Sequence, residues 1–220
     1  MLAGVGRYGW VLLSTVLSLG LQGIAPPGAL QQVAVTALAV AAVVLALHAA
    51  PLSPRLVAWA TAAALVLLAL SVVQAVFGGI GEGAARAMNA ALVAVGPPAI
   101  AYGVLHDLRT TRHVGVQSVL GVLSLYILVG MLFAFVYGAI DLLADESFFA
   151  GVETATVSEC LYFSFITLTT VGYGDLSASS DLGHTLSMFE ALIGQIYLVT
   201  VVSVLVSNLG RPRGTDRAAA

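Results

Sequence analysis

Lysine is absent from this chain of 220 residues, and its eight basic residues are all arginine. Charged residues make up 9% of the chain, whereas soluble domains carry about 25%. A net charge of −3 with so few cations excludes the basic patch that nucleic acid needs. Cys160 is the only cysteine, which excludes an intrachain disulfide. The sequence has no metal cluster, nucleophile–base pair or phosphate loop, so it predicts neither an enzyme nor a cofactor.

Apolar residues dominate instead, at 60% of the chain with a mean hydropathy of +1.02. A membrane-spanning helix needs about 20 apolar residues. Six runs approach that length, separated by glycine and proline, and they predict an all-α integral membrane protein. The predicted spans are Tyr8 to Ile24, Leu30 to Ala50, Leu56 to Phe77, Ala85 to Leu105, Val119 to Ile140 and Gly183 to Asn208. Pro97 and Pro98 should kink the fourth span.

One apolar stretch, Cys160 to Leu168, is too short to cross the membrane and lies between the fifth and sixth spans. Such a segment is typical of a re-entrant helix. Irregular backbone at membrane depth is tolerated only where it is buried in protein or lines a wet cavity. This segment and the residues after it are therefore the predicted functional site.

Arginine placement predicts the orientation, because cytoplasmic loops of membrane proteins are enriched in arginine and lysine. With both termini in the cytoplasm, only Arg86 falls outside. We expect a retained first helix rather than a cleaved signal peptide, and a multi-pass protein of the cell membrane. The cytoplasmic arginines would be Arg7, Arg55, Arg109, Arg112, Arg211, Arg213 and Arg217.

The re-entrant segment runs into a glycine-containing loop, Thr170-Val171-Gly172-Tyr173-Gly174-Asp175. Alternating glycines adopt dihedral angles closed to other residues, so backbone carbonyls can point to one side. A ring of carbonyls can replace the water shell of a cation. One loop per chain then requires several chains around one axis, and we expect a homotetramer.

This loop, together with the preceding Thr169 and the hydroxyl-rich short helix, resembles the selectivity filter of the potassium channel family, a known carbonyl-ring filter. The resemblance implies that Thr170, Val171, Gly172 and Tyr173 coordinate K⁺, while Gly174 and Asp175 shape the outer mouth. Thr169, Tyr162 and Glu190 would support the filter, with Tyr162 bonding near Asp175. Gly194 stands where the family often has a hinge glycine. Phe163 occupies a position where relatives often have an indole donor.

The implied domains are a four-helix unit at residues 1–114, a pore domain at 115–210 with outer helix, pore helix, filter and inner helix, and a cytoplasmic tail at 211–220. Many six-helix relatives carry an arginine ladder on the fourth helix, and this chain does not. Because moving one charge through the membrane field is worth about 2.3 kcal/mol per 100 mV, we expect no steep voltage gating.

Several residues have two readings. Glu190 would either face the ion cavity or hydrogen-bond behind the filter to Ser164 or Thr167, and the second is favoured because buried polar groups usually find partners. The stripe formed by Leu198, Val202 and Val206 would line the pore or simply pack. The outer acids Asp141, Asp145, Glu146 and Glu153 would concentrate cations, although a solvated face is the favoured reading.

The predicted function is passive, selective K⁺ conduction, with K⁺, membrane lipid and identical subunits as partners. One alternative is a weakly selective cation channel, against which Tyr173 in the filter argues. A second is an active transporter, which would be expected to contain internal repeats. A third is a regulatory or interaction subunit whose first four helices bind a partner.

Overall fold

A computed structural model of the chain describes residues 6–24, 29–77, 82–111, 116–144 and 146–203. The regular elements in these ranges are helices. One isolated antiparallel bridge pairs the loop residues Phe149 and Ala178. The helices are α1 (Arg7–Ile24), α2 (Ala29–Ala49), α3 (Pro54–Phe77), α4 (Glu82–Ala94), α5 (Gly96–Thr111), α6 (Val116–Leu143), α7 (Val157–Leu168) and α8 (Asp181–Tyr197). A π-helical turn, Leu198–Val202, follows α8.

Three stretches in the described chain are long and apolar enough to cross a membrane, namely Pro54–Gln74, Arg86–His106 and Val116–Leu143. Tyr8–Ile24 and Val33–Ala49 are apolar but shorter. The all-helical, membrane-spanning class is therefore confirmed, whereas the count of six spans stays a prediction. The end of the sixth predicted span, beyond residue 203, lies outside the described residues.

The fourth predicted span is two helices, because α4 ends at Ala94 and α5 begins at Gly96. Neither Pro97 nor Pro98 can donate a backbone hydrogen bond to the preceding turn. The amide of Val95 instead donates to the carbonyl of Leu92 at 3.3 Å, which closes a tighter turn. The interruption expected from the two prolines is present.

Helices α1 to α5 bury an apolar core that includes Val43, Leu47, Val93 and Ile100. Hydrogen bonds also join α2, α3 and α4, because the Thr36 hydroxyl donates to Oδ1 of Asn89 and accepts from the hydroxyl of Ser71, both at 3.2 Å. These three polar side chains thus hydrogen-bond to one another within the bundle.

The long helix α6 joins this bundle to the rest of the chain. Helices α1, α4 and α5 all pack against α6, and α7 packs against it as well. Close contacts occur at small residues: a methyl group at Gly121 would lie 2.9 Å from Val104 of α5. Helices α1, α4 and α5 therefore rest on α6 of the same chain. The domain boundary predicted at residue 114 lies outside the described residues.

Candidate functional site

The helix predicted as the pore helix is α7, and its C-terminal end at Leu168 coincides with the end predicted for the re-entrant segment. Thr156 caps its N-terminus, since the threonine hydroxyl accepts from the Glu159 amide at 3.2 Å and the Glu159 carboxylate accepts from the Thr156 amide at 2.8 Å. This reciprocal cap satisfies two backbone donors that a helix start leaves open. It fixes where the short helix begins.

The loop before α7 is organised by Asp141, which is buried and lies at the end of α6. One carboxylate oxygen accepts from the Phe148 amide at 2.9 Å, and the other accepts from the Ala155 amide at 2.7 Å. The favoured reading of Asp141 as part of a solvated face is therefore wrong, because its side chain is buried and both carboxylate oxygens are hydrogen-bonded. Without Asp141, the two amides would be left without these partners. Glu146 and Glu153 are exposed, and Asp145 lies outside the described residues.

Arg86 reaches the same loop from α4. Its Nη1 donates to the carbonyl of Ala155 at 2.9 Å. Asp141 therefore binds the backbone amide of Ala155, and Arg86 binds its backbone carbonyl. The next residue is the cap of the pore helix. Arg86 was expected only as the one outer arginine, and no local pattern in the sequence indicates a partner 69 positions away.

The loop after α7 begins with backbone hydrogen bonds that point back into the pore helix. The amides of Val171 and Gly172 both donate to the carbonyl of Ile166, at 2.8 and 3.1 Å. The Thr170 amide donates to the Thr167 carbonyl at 2.9 Å. With consecutive N–H groups tied to the helix, the loop is held against the C-terminal, negative end of the helix dipole.

The dihedral angles of the loop alternate in sign. Thr170, Gly172 and Gly174 have φ of 59°, 51° and 78°, and Thr170 is the one non-glycine with positive φ in the described chain. A threonine in this left-handed region costs about 1–2 kcal/mol, which the surrounding hydrogen bonds must offset. Alternation of this kind turns successive carbonyls towards a common side, as the glycine spacing predicts.

The outer mouth contains the hydrogen bond expected between Tyr162 and Asp175. The tyrosine hydroxyl donates to the carboxylate at 2.6 Å, and the Tyr162 ring stacks on the Tyr173 ring with centroids 6.5 Å apart. This hydrogen bond lowers the pKa of Asp175 below its usual value. Phe163 instead packs against the buried rings of Tyr137 and Phe149.

The inner helix α8 approaches the base of the loop at Gly194. A methyl group there would lie 2.0 Å from the carbonyl oxygen of Leu168, the last residue of the pore helix. The hydroxyl of Tyr126 donates to the same carbonyl at 3.2 Å. The helix runs through Gly194 without a break. Close packing against Leu168 explains why a residue without a side chain fits at this position, and the hinge stays a prediction.

Glu190 lies one turn before Gly194 and is fully buried. Its carboxylate contacts the hydroxyl of Ser164 on α7 at 2.5 Å and the hydroxyl of Tyr137 on α6 at 2.6 Å. Of the two partners expected in the hydrogen-bonded reading, Ser164 is the one that Glu190 contacts. The Tyr137 partner was not foreseen, because nothing in the sequence relates positions 53 residues apart.

The stripe predicted on the inner helix is described only in part. Leu198 begins the π-helical turn and is 41% exposed in the single chain. The Val202 side chain and Val206 lie outside the described residues. A π-helical turn often marks a functional site, and here it follows the contact in which the Tyr197 hydroxyl donates to the Val122 carbonyl.

Comparison with known proteins bears on this part of the chain. Residues 121–211 match the family described as "Ion channel". The chain is 31% identical over 108 residues to the inward rectifier potassium channel Kirbac3.1 of Paramagnetospirillum magnetotacticum, covering 49% of this chain and 34% of that protein. It is 35% identical over 87 residues to two pore potassium channel a of Oryza sativa subsp. japonica, covering 40% and 23%.

A third relative is potassium channel, subfamily K, member 16 of Mus musculus, 32% identical over 100 residues that cover 42% of this chain and 32% of the relative. The chain thus spans about a quarter to a third of the length of these relatives. No solved structure matches it. Residues 121–211, which contain most of α6, the glycine-containing loop and α8, are thus similar to ion channels, and the relatives that match this part of the chain are potassium channels.

Proposed function

We propose that four copies of this chain form a channel that conducts K⁺ passively and selectively across the cell membrane. The observation that carries the proposal is the alternating backbone of Thr170, Gly172 and Gly174. The amides of Thr170, Val171 and Gly172 are tied back to the pore helix, which would leave the carbonyls free to face an ion. Thr170, Val171, Gly172 and Tyr173 would coordinate K⁺ in place of its water shell, with Gly174 and Asp175 at the mouth.

The proposed tetramer is supported by what one chain leaves uncovered. Val171 and Tyr173 are 51% and 72% exposed, so a single chain supplies one wall of an ion path and no enclosure. Helix α8 also leaves apolar side chains exposed. They include Leu182, Met188, Phe189, Leu192, Ile193 and Ile196. Closed fourfold symmetry would cover such a face and surround the ion with equivalent carbonyls.

The first four spans would be a scaffold rather than a voltage sensor. Arg86 is hydrogen-bonded at the start of the pore helix, where it cannot travel through the membrane field without breaking that contact. We therefore propose conduction that does not depend steeply on voltage. The function requires no cofactor and no catalytic residue, and it is consistent with cytoplasmic termini and the division at residues 114 and 210.

The test is K⁺ flux against Na⁺ flux in liposomes that hold the purified protein. The variant Gly172→Asp should abolish K⁺ flux, because the residue has φ of 51° and lies in the filter. Gly151→Asp is the matched control: Gly151 also has positive φ, at 76°, but lies in the loop before the pore helix with open space around it. It should keep K⁺ flux.

Each outcome of the flux and mass measurements distinguishes one candidate function from the others. K⁺ flux that far exceeds Na⁺ flux, with loss in Gly172→Asp alone, supports a selective channel. Equal flux of both ions would mean a weakly selective cation channel. No flux from a protein that native mass spectrometry measures as a tetramer would favour a regulatory subunit. A monomeric or dimeric mass would refute the fourfold arrangement.

A further inference from the structure

Behind the filter, three buried side chains from three helices meet at Glu190. Tyr137 comes from α6, Ser164 from the pore helix α7 and Glu190 from α8. Glu190 and Ser164 are 0% exposed. Among the described residues, Glu190 has no ion-pair partner. Tyr137 and, farther off, Tyr126 of α6 are the other ionisable groups that interact with it.

The oxygen contacts in this cluster can be counted. Tyr137 Oη lies 2.6 Å from Oε2 of Glu190. Ser164 Oγ lies 2.5 Å from Oε1 of Glu190 and 2.7 Å from the carbonyl oxygen of Gly130 on α6. All three are O···O separations of hydrogen-bond length. Each therefore needs one proton between its two oxygens, because two lone pairs at this distance repel.

The hydroxyls of Tyr137 and Ser164 supply one proton each. If Glu190 were ionised, the single hydroxyl proton of Ser164 could be donated to Glu190 or to the Gly130 carbonyl, but not fully to both. One of these two short O···O contacts would then have no proton between its oxygens and would be repulsive. A third proton on the carboxyl group removes the conflict. It also avoids an unpaired carboxylate in an apolar site, which is costly.

We propose that Glu190 is a neutral carboxylic acid that donates its proton to Ser164. The hydrogen bonds then run in one direction, from the Tyr137 hydroxyl to Glu190, from Glu190 to Ser164, and from the Ser164 hydroxyl to the Gly130 carbonyl. Each of the three protons then has one acceptor oxygen. Glu190 is thus a positioning residue that links inner, pore and outer helices.

The position of the cluster connects it to the filter. Ser164 lies two residues before Ile166, whose carbonyl holds the amides of Val171 and Gly172. Ionisation of Glu190 would reverse the Ser164 hydrogen bond and release its contact with Gly130. The link between the three helices should therefore be intact at neutral pH and lost as pH rises into the range where Glu190 ionises.

Infrared spectroscopy of the purified full-length protein tests the proton directly and does not depend on the proposed ion conduction. The wild-type protein should show the carbonyl stretch of a protonated carboxylic acid at neutral pH, where exposed carboxyl groups are ionised. This band should be lost in Glu190→Gln and retained in the control Glu153→Gln, which changes an exposed acid. Persistence of the band in Glu190→Gln, or its absence from wild-type protein, overturns the proposal.

Thermal melting provides a second readout. Glutamine presents an N–H donor to Ser164 and an oxygen acceptor to Tyr137, the same pattern as the neutral acid. Glu190→Ala should lower the melting temperature, and Glu190→Gln should restore most of the loss. At alkaline pH the wild-type melting temperature should fall relative to that of Glu190→Gln. A wild-type melting temperature that stays parallel to the Glu190→Gln variant at every pH contradicts a neutral Glu190.

Discussion

The contact between Gly194 and the end of the pore helix leads to a quantitative prediction for Gly194→Ala. The added methyl carbon would lie 2.0 Å from the Leu168 carbonyl oxygen and 2.9 Å from its carbon, whereas real Cβ atoms keep at least 3.0 Å. Both obstructing atoms are backbone, so no side-chain rotation relieves the overlap. Either α8 or the pore helix must move.

Overpacking of this kind costs about 3 kcal/mol at the upper end of its usual range. Alanine returns about 1 kcal/mol, because it is a better helix former than glycine. The expected net loss is about 2 kcal/mol per subunit, or about 5 °C in melting temperature for a chain of this size. The K⁺/Na⁺ flux ratio should fall as well, because displacement of Leu168 moves the base of the filter.

The matched control is Gly20→Ala in α1. It makes the same substitution inside a helix, but nothing lies within 4 Å of the added methyl group. This variant should melt at or slightly above the wild-type temperature and keep the wild-type flux ratio. Equal melting temperatures and flux ratios for the Gly194→Ala and Gly20→Ala variants would refute the argument from close packing.

Two further predictions concern hydrogen bonds. Because the Tyr162 hydroxyl lowers the pKa of Asp175, Tyr162→Phe should raise that pKa, and the fall in K⁺ flux on acidification should occur at a higher external pH. The control Tyr102→Phe changes an exposed tyrosine on α5 and should leave the pH dependence of K⁺ flux unchanged. An unshifted pH dependence for Tyr162→Phe would contradict the assignment. Thr36→Val should cost about 1 kcal/mol, because it removes the hydroxyl that joins three membrane helices. Thr61→Val should be neutral or stabilising, since Oγ1 of Thr61 is buried with no hydrogen-bond partner in the described chain; equal losses from both valine variants would count against the reasoning.

Features that depend on local pattern could be predicted from the sequence. The apolar run to Leu168 ends where the pore helix ends, because the residues that follow adopt positive φ and leave the helix. The two prolines interrupt the fourth span because they remove backbone donors. Helix α6 extends beyond the apolar run Val119 to Ile140, since polar residues such as Gln117 and Asp141 also continue a helix.

Features that depend on distant partners could not be predicted. Asp141 has the local surroundings of an exposed loop acid, and only the folded loop brings two amides to its carboxylate. Gly194 was selected by resemblance as a hinge, and its contact with Leu168 depends on how two helices cross. For Glu190, the cost of a charge in the membrane predicts that it has partners but does not identify them.

The placement of these contacts limits how the first four spans can act on the ion path. The hydrogen bonds that hold the filter loop come from α7, and those at its rear come from α6 and α8. Helix α4 reaches the start of α7 through Arg86, which holds the residue before the helix cap, while α1 contacts α7 directly and α1, α4 and α5 pack on α6. A movement of α4 would therefore be transmitted to the start of the pore helix before it reached the filter. A movement of α4 should therefore act on the pore helix through the loop that Arg86 and Asp141 share.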